Sequence, residues 1–236
     1  EVLLAPNLGW RNVPLKQQLA DRLRVPVFIH NTAQASAVAE SIEGAGEGAQ
    51  NLIFLYVGTG VGAGVLTDGH IYHGGAGTAG EIGHCRIPGN SRQCNCGLVG
   101  CLETVASGPA LARAAGDLMA PEDGEVTAED VARAAESGDD RAVEVLREAG
   151  EALGTATAWL INLFNPEVVV VGGGVVGAGR PLLDSLEKTA LGQALPQAAE
   201  RVTIRPSVLG QDAEVRGAVL VALQYSNTYY RLIFQT

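Results

Sequence analysis

The sequence predicts an α/β layered fold, and three observations lead to that prediction. Short apolar and β-branched runs alternate with segments whose apolar residues recur at helical spacing. Glycines cluster between these segments, where strands would turn into helices. Residues 167–171 form a continuous run of this kind, which indicates a strand buried on both faces, and three glycines follow it. Alternating strands and helices are typical of domains in which helices cover a sheet.

The first third of the chain is predicted to contain two strands, a helix and a hairpin. Residues 25–30 are an apolar run that indicates a buried strand, and residues 32–43 carry small apolar residues at helical spacing. Residues 51–57 form another apolar run, which ends at the glycine-rich turn of residues 58–62. An Asp-Gly pair at residues 68–69 lies between two short runs and predicts a β-hairpin.

Helices dominate the prediction for the second half. Pro109 suits the first turn of a helix, and Thr127 suits the N-cap of the next one. Apolar residues recur at helical spacing over residues 139–164, which predicts a long helix in the core. Residues 202–205 and 213–223 predict the last strand and the last helix.

Composition and charge exclude several classes of protein. The 236 residues, 47% of them hydrophobic, are enough for one large domain or two small ones. No apolar run approaches the roughly 20 residues that cross a bilayer, so we expect no membrane insertion. A net charge of −10 argues against direct binding of nucleic acid by these residues. The few, clustered cysteines favour a metal site in a reducing cytoplasm over a disulfide framework.

One histidine and three cysteines lie close together in a glycine-rich segment: His84, Cys94, Cys96 and Cys101. Four such ligands suit tetrahedral zinc, and a complete set of protein ligands predicts a structural rather than a catalytic ion. Cys85 competes as the fourth ligand. The alternatives are buried free thiols or a disulfide between Cys94 and Cys101.

Two motifs around this cluster resemble the signature of the ROK family, which contains sugar kinases and sugar-responsive transcriptional repressors. They are Gly-Glu-Ile-Gly-His at residues 80–84 and Cys-Asn-Cys-Gly-Leu-Val-Gly-Cys-Leu-Glu at residues 94–103. Further stretches that look like ROK landmarks follow in the family's order: residues 5–10, 58–62, 172–174 and 213–218. The resemblance therefore extends along nearly the whole chain.

The resemblance implies an actin-like ATPase fold of the ribonuclease H-like type, present mainly as its second lobe. We expect residues 1–44 to be the end of the first lobe with its hinge, and residues 45–212 to form the second lobe, including a zinc loop at 80–103. Residues 213–236 are expected to form a helix and tail that return toward the first lobe. ROK kinases begin with a strand and an Asp-x-Gly-Gly-Thr turn, which this sequence does not contain, so it is expected to start inside the first lobe.

The resemblance also implies a set of sugar contacts, whose members all hydrogen-bond readily to hydroxyl groups. They are Glu81, His84, Glu103, Asn31, Thr32 and Asn7. A histidine that binds a metal through one ring nitrogen can offer the other to a ligand, so the zinc and the sugar pocket would be coupled. Solvated loop carboxylates are the alternative for the two glutamates.

Position 32 distinguishes the two activities of the family. ROK kinases have an aspartate there, directly after an asparagine, and it accepts the proton of the attacking hydroxyl. This chain has Asn31 followed by Thr32, and a threonine cannot act as a base near neutral pH. The substitution favours sugar recognition without phosphotransfer.

The resemblance extends to a nucleotide site, at the glycine-rich positions Gly58, Thr59, Gly60, Gly173 and Gly174. Glycine permits close approach of backbone amides to phosphate, but these turns could equally be inherited and bind nothing. Under a kinase hypothesis the site would hold ATP and Mg²⁺.

These inferences favour a zinc-stabilised, sugar-sensing effector-binding and dimerisation domain of a ROK-family transcriptional regulator. Such a regulator would be a cytoplasmic homodimer that binds a monosaccharide or sugar phosphate and contacts DNA through an N-terminal winged helix-turn-helix absent from this chain. The alternatives are a glucokinase-like, ATP-dependent sugar kinase and a dimerisation scaffold without a ligand.

Overall fold

The computed structural model describes residues 1–5, 8–116 and 126–234. Within them, five strands form one mixed sheet in the order β5-β4-β3-β6-β7, and β1 pairs with β2 in a separate antiparallel ribbon. The strands are β1 Val2–Ala5, β2 Trp10–Val13, β3 Leu52–Val57, β4 Val61–Thr67, β5 His70–Ile71, β6 Val168–Gly172 and β7 Thr203–Pro206. Strands β3, β6 and β7 run parallel, whereas β4 and β5 are antiparallel additions at one edge.

Helices cover both faces of the five-stranded sheet. In the described residues they are α1 Leu15–Leu23, α2 Thr32–Glu43, α3 Glu103–Ala106, α4 Gly108–Gly116, α5 Ala128–Glu136, α6 Asp140–Phe164, α7 Arg180–Gln193, α8 Pro196–Ala199 and α9 Asp212–Phe234. The 3-10 turns Ile82–His84 and Gly174–Ala178 lie in the connections. None of the described helices combines the length and the apolar character that crossing a membrane requires.

Strand β3 lies at the centre of the core and contributes to both faces of the sheet. Its odd-numbered residues, among them Ile53 and Leu55, belong to the larger hydrophobic cluster, which includes Leu146 and Leu153 of α6. Its even-numbered residues, such as Phe54, belong to a smaller cluster with the alanines of α2. This two-sided burial explains the continuous apolar sequence of β3 and of β6.

Several sequence predictions are confirmed. Helix α2 has the predicted bounds, and α6 begins after its N-cap Asp139 and ends at Phe164. Thr127 caps α5 through a reciprocal pair of hydrogen bonds with Asp130. The Asp-Gly turn at residues 68–69 has positive φ at both residues, as a tight hairpin requires.

The strand predicted at residues 25–30 is wrong. This segment is an irregular loop in which Val25 is 54% and Ile29 is 38% exposed, so its apolar residues do not enter the core of the sheet. Among the described residues, this segment joins neither the ribbon nor the five-stranded sheet. Phe28 instead stacks on Tyr225 of α9, with ring centroids 5.0 Å apart.

The last helix is longer than predicted. Helix α9 continues from Asp212 to Phe234 and therefore includes most of the aromatic tail. It packs along α2, and the backbones approach so closely that a Cβ on Gly217 would lie 1.9 Å from the carbonyl oxygen of Ala35. The division of the chain at residues 44 and 212 stays a prediction.

Candidate functional site

A four-residue cluster in the loop between β5 and α3 has the composition of a metal centre. His84 is the last residue of a 3-10 turn, and Cys94, Cys96 and Cys101 come from the glycine-rich segment that leads into α3. One ligand atom from each residue lies within 4.8 Å of all the others. Cys85 is exposed and lies outside this cluster, and all four cysteines of the chain are free thiols.

The separations of the ligand atoms suit a single tetrahedral ion. The sulfurs of Cys96 and Cys101 are 3.7 Å apart, as are the sulfur of Cys94 and Nδ1 of His84. Zinc–sulfur bonds of about 2.3 Å at tetrahedral angles place two sulfurs about 3.8 Å apart. These two separations match a zinc-like tetrahedral ion, and all four ligand atoms lie within 4.8 Å of one another.

The loop environment holds two of the three sulfurs as protonated thiols when no metal is bound. Burial raises the pKa of Cys101 to about 12, and it also raises the pKa of Cys94. Burial acts in the same direction on Cys96, but hydrogen bonds from the Leu98 backbone and from the two other thiols outweigh it and lower its pKa. Metal binding must displace these protons, because the thiolate is the ligand.

His84 joins the metal cluster to a carboxylate. Its Nδ1 faces the sulfur of Cys94, and its Nε2 lies 4.0 Å from a carboxylate oxygen of Glu81. Glu81 is half exposed, so its carboxylate is open to a ligand on the side away from the sulfurs. The ring thus has one nitrogen facing the sulfur cluster and the other facing the carboxylate of Glu81.

Strand β4 supports this segment on one side. The amide of Ala63 donates to the carbonyl of Gly80, at 2.7 Å, which fixes the residue before Glu81 against the strand. The amide of Val61 donates to a carboxylate oxygen of Glu103, at 3.1 Å. Both predicted sugar-binding glutamates are therefore anchored, directly or through a neighbour, to the first residues of β4.

Helix α2 packs against the same strand. Gly64 of β4 lies so close to the helix that a Cβ there would be 2.2 Å from the carbonyl oxygen of Ala33. Asn31 caps α2, since its side-chain oxygen accepts from the amides of Ala33 and Gln34. The cap uses this oxygen, so the side-chain amide nitrogen is the part of Asn31 that can reach a ligand.

Two predicted sugar contacts remain, Thr32 and Asn7. Thr32 is exposed at the start of α2 and borders a largely apolar cavity of about 640 Å³ between α1, α2 and α9. Asn7 lies outside the described residues. The structure thus brings Asn31, Glu81, His84 and Glu103 onto elements that meet at β4, and it places Thr32 beside Asn31.

The glycine-rich positions predicted for a nucleotide line a second cleft. Gly58, Thr59 and Gly174 border a space of about 440 Å³, whereas Gly60 closes the turn by accepting from the amide of Gly58. Gly173 is the N-cap of the adjoining 3-10 turn. The cleft lies at the ends of β3 and β6, next to the start of α4, where the amide of Gly108 donates to the carbonyl of Gly58.

Sequence reasoning missed the side chains that give this cleft its charge. Its lining includes Tyr56, Glu129 and Glu214, and no lysine or arginine borders it among the described residues. Burial, then the charge of Glu214, raises the pKa of Tyr56. In the sequence, Tyr56 can be noticed only as a hydroxyl-bearing residue in an otherwise apolar strand. Glu214 could not be assigned to the cleft, because it lies on α9, more than 150 residues away in sequence.

Comparison with known proteins identifies the class to which this fold belongs: actin-like proteins whose similar members include glucokinases and xylose repressors. The chain belongs to the ROK family, whose pattern it matches over residues 1–225. The resemblance inferred from the sequence motifs is thereby confirmed.

Relatives of both functional kinds are similar to this chain. A glucokinase of Halalkalibacterium halodurans is 41% identical over 95% of this chain and 72% of its own length. A xylose repressor of Bacillus spizizenii is 30% identical over 95% of this chain, which spans 58% of the repressor. A glucokinase from Streptomyces griseus, solved with glucose and AMPPNP, superposes with a TM-score of 0.86 at 34% identity, over 94% of this chain and 76% of that one.

Proposed function

We propose that this chain is the zinc-stabilised sugar-sensing and dimerisation domain of a ROK-family transcriptional regulator. The observation that carries the proposal is Thr32, which stands directly after the helix cap Asn31, where the family resemblance implies the base of a kinase. A threonine hydroxyl hydrogen-bonds a sugar but does not accept a proton from it near neutral pH. Recognition is therefore retained at this position, and the usual route to phosphotransfer is absent.

The metal in this proposal is one structural Zn²⁺ held by His84, Cys94, Cys96 and Cys101. The ligand set and the 3.7 Å separations support zinc, and a bound ion would link the two ends of the loop that carries Glu81 and precedes Glu103. The zinc would cross-link the loop and would take no part in catalysis. Glu81, Glu103, the second nitrogen of His84 and Asn31 would then hydrogen-bond the hydroxyls of a monosaccharide or sugar phosphate, with Thr32 and Asn7 as further contacts.

The assembly proposed is a cytoplasmic homodimer that contacts DNA through a winged helix-turn-helix outside these 236 residues. The xylose repressor relative supports this proposal, because it combines a matching region of this size with a longer chain. The acidic net charge of −10 agrees with a DNA-binding element located elsewhere.

A glucokinase-like sugar kinase is the second candidate, and the 41% identical glucokinase relative favours it. Two assays on the full-length natural protein separate the candidates. Calorimetry with D-glucose and D-xylose should detect binding of at least one sugar, and a coupled assay should detect no sugar-dependent ATP consumption. Turnover at ordinary kinase rates, about 1–100 s⁻¹, would overturn the regulator proposal.

A further inference from the structure

The side chain of Gln34 is a buried amide in a helix of small residues. It lies on α2, one turn after the cap Asn31, and is only 3% exposed. Buried amides are rarely tolerated without hydrogen-bond partners. The partners of Gln34 are the carbonyl oxygen of Ala79, 3.5 Å from its Nε2, and Nδ1 of His73, 3.3 Å from its Oε1.

These two contacts determine which ring nitrogen of His73 carries the proton. The Ala79 carbonyl can only accept a hydrogen bond, so the NH₂ group of Gln34 must face it and the amide oxygen must face His73. An amide oxygen also only accepts, so Nδ1 of His73 must be the donor. A neutral imidazole has one ring proton, which leaves Nε2 of His73 as a hydrogen-bond acceptor.

The position of His73 connects it to the candidate sugar site. Its ring centroid lies 5.7 Å from that of His30, the residue before Asn31. Its carbonyl accepts from the amide of Ala79, at 3.2 Å, in the loop that leads to Glu81. His73 is exposed, and within the part of the chain that the structure describes its Nε2 has no hydrogen-bond partner.

We propose that His73 is a specificity-determining residue of the sugar site, where its Nε2 accepts a hydrogen bond from a ligand hydroxyl. Gln34 is the positioning residue that fixes the tautomer. The ligand group must be a hydroxyl and not a carboxylate or carbonyl, because only a hydroxyl has a proton to donate to Nε2. His73 thus supplies an acceptor next to His30, the residue before Asn31. The ligand part of this proposal rests on the proposed function.

A second imidazole lies next to His73. The nearest titratable ring is His30, whose pKa is lowered by burial and then by the proximity of His73. His30 in turn contacts the ring of Tyr225, with centroids 5.4 Å apart. The lowered pKa of His30 reflects the repulsion that a charge on its ring would meet from a charge on its neighbour.

The tautomer can be measured without any ligand, by long-range proton–nitrogen NMR of the four histidines at pH 8. We expect His73 to show the Nδ1–H form. His70 provides an internal reference for that form, because its Nδ1 lies 2.7 Å from the carbonyl of Asp68. Gln34→Leu should move His73 toward the Nε2–H form, and Gln34→Glu, which keeps an accepting oxygen, should not. An Nε2–H form in the wild type would overturn the proposal.

Ligand recognition is measured by calorimetry with D-glucose and D-xylose. His73→Phe keeps a ring but removes the acceptor, and it should weaken binding about tenfold while the zinc content stays unchanged. Gln34→Leu should weaken binding as well, and Gln34→Glu should restore it. Binding by His73→Phe within twofold of the wild type would overturn the proposal with the sugar site intact. If the wild type binds neither sugar, the proposed function and the ligand role of His73 fail together, and the tautomer result still decides the role of Gln34.

Discussion

The zinc loop and the glycine-rich cleft differ in how completely each is equipped for its expected ligand. The loop has four ligand atoms within 4.8 Å of one another, and His84 joins them to Glu81. The cleft has the glycines that could approach a nucleotide, but its lining adds Glu129 and Glu214 and, among the described residues, no cationic side chain. Carboxylates repel phosphate unless a metal ion neutralises the charge. The zinc loop therefore has more of the groups expected for sugar recognition than the glycine-rich cleft has for binding a nucleotide.

The difference suggests that a chain can have the glycine-rich turns of a nucleotide site without having the side chains that bind the nucleotide. Glycine positions persist where the backbone itself needs them, as at Gly64, which allows α2 to lie on β4. A carboxylate or imidazole at a binding site, in contrast, adds chemistry that a turn alone does not supply. A glycine-rich turn alone is thus weak support for nucleotide binding, whereas a metal cluster joined to a carboxylate is specific.

The largest effect is expected from loss of a metal ligand. Cys101→Ser removes a fully buried sulfur from the cluster. We expect zinc content to fall from one ion per chain to well below one, and sugar affinity to fall at least about 100-fold, because both anchored carboxylates lose their positions. Elemental analysis and calorimetry measure the two quantities.

Cys85→Ser is the matched control, since Cys85 adjoins His84 but is exposed and lies outside the cluster. It should keep the zinc and the affinity. Equal loss of zinc in both variants would show that the ligand set is misassigned.

The next largest effect concerns the contact between β4 and α2. Gly64→Ala would place a Cβ 2.2 Å from a backbone carbonyl of α2, and we expect it to lower the free energy of unfolding by about 3 kcal/mol. Gly62→Ala on the same strand should change it by less than about 0.5 kcal/mol, because its Cβ would sit 3.9 Å from the Ala33 methyl group. Urea unfolding of both variants measures the difference, and equal stabilities would contradict the described packing.

The two glutamates should respond differently to truncation. Glu81→Ala and Glu103→Ala should each weaken sugar binding about 10- to 100-fold, the value of a charge-assisted hydrogen bond. Only Glu103→Ala should also lower the free energy of unfolding, by about 1–2 kcal/mol, because its carboxylate accepts from the amide of Val61. Calorimetry together with urea unfolding separates the roles. Unchanged affinity in both variants would mean that these residues are solvated loop carboxylates.

The smallest effect is expected in the glycine-rich cleft. Glu214→Gln removes one negative charge beside Thr59 and Tyr56, and it should raise the affinity for MgATP about two- to fivefold. Equilibrium dialysis with labelled ATP measures the change. An unchanged or weaker affinity would indicate that the charge of the cleft does not oppose phosphate.

The sequence predicted the parts of the molecule that depend on local pattern. The periodicity of α6 and the Asp-Gly turn each involve neighbours in the chain, and both predictions were confirmed. The four predicted metal ligands lie close together, and the bound ion stays a prediction. The strand prediction for residues 25–30 was wrong because an apolar run has the same sequence pattern whether or not it pairs with another strand. Local pattern does not reveal the availability of a partner.

Contacts between residues that are far apart in the chain could not be predicted from the sequence, for the same reason. Gln34 and His73 meet across 39 positions. Glu40 is fully buried on α2 and accepts from the amide of Ala45 at 2.7 Å and from the hydroxyl of Ser207, which lies 167 positions away. A glutamate in a helix of small residues is normally assigned to solvent, and only the packing of α2 against the sheet reveals its partners.

The central claim is that the metal holds the sugar-binding carboxylates in place. Its most direct test is calorimetry of one protein sample with D-glucose and D-xylose, first as purified, then after removal of metal by a chelator, and again after addition of one equivalent of Zn²⁺. We predict that stripping abolishes sugar binding while the far-ultraviolet circular dichroism keeps its helical signal, and that zinc restores the affinity. Undiminished sugar binding by the stripped protein would contradict the claim.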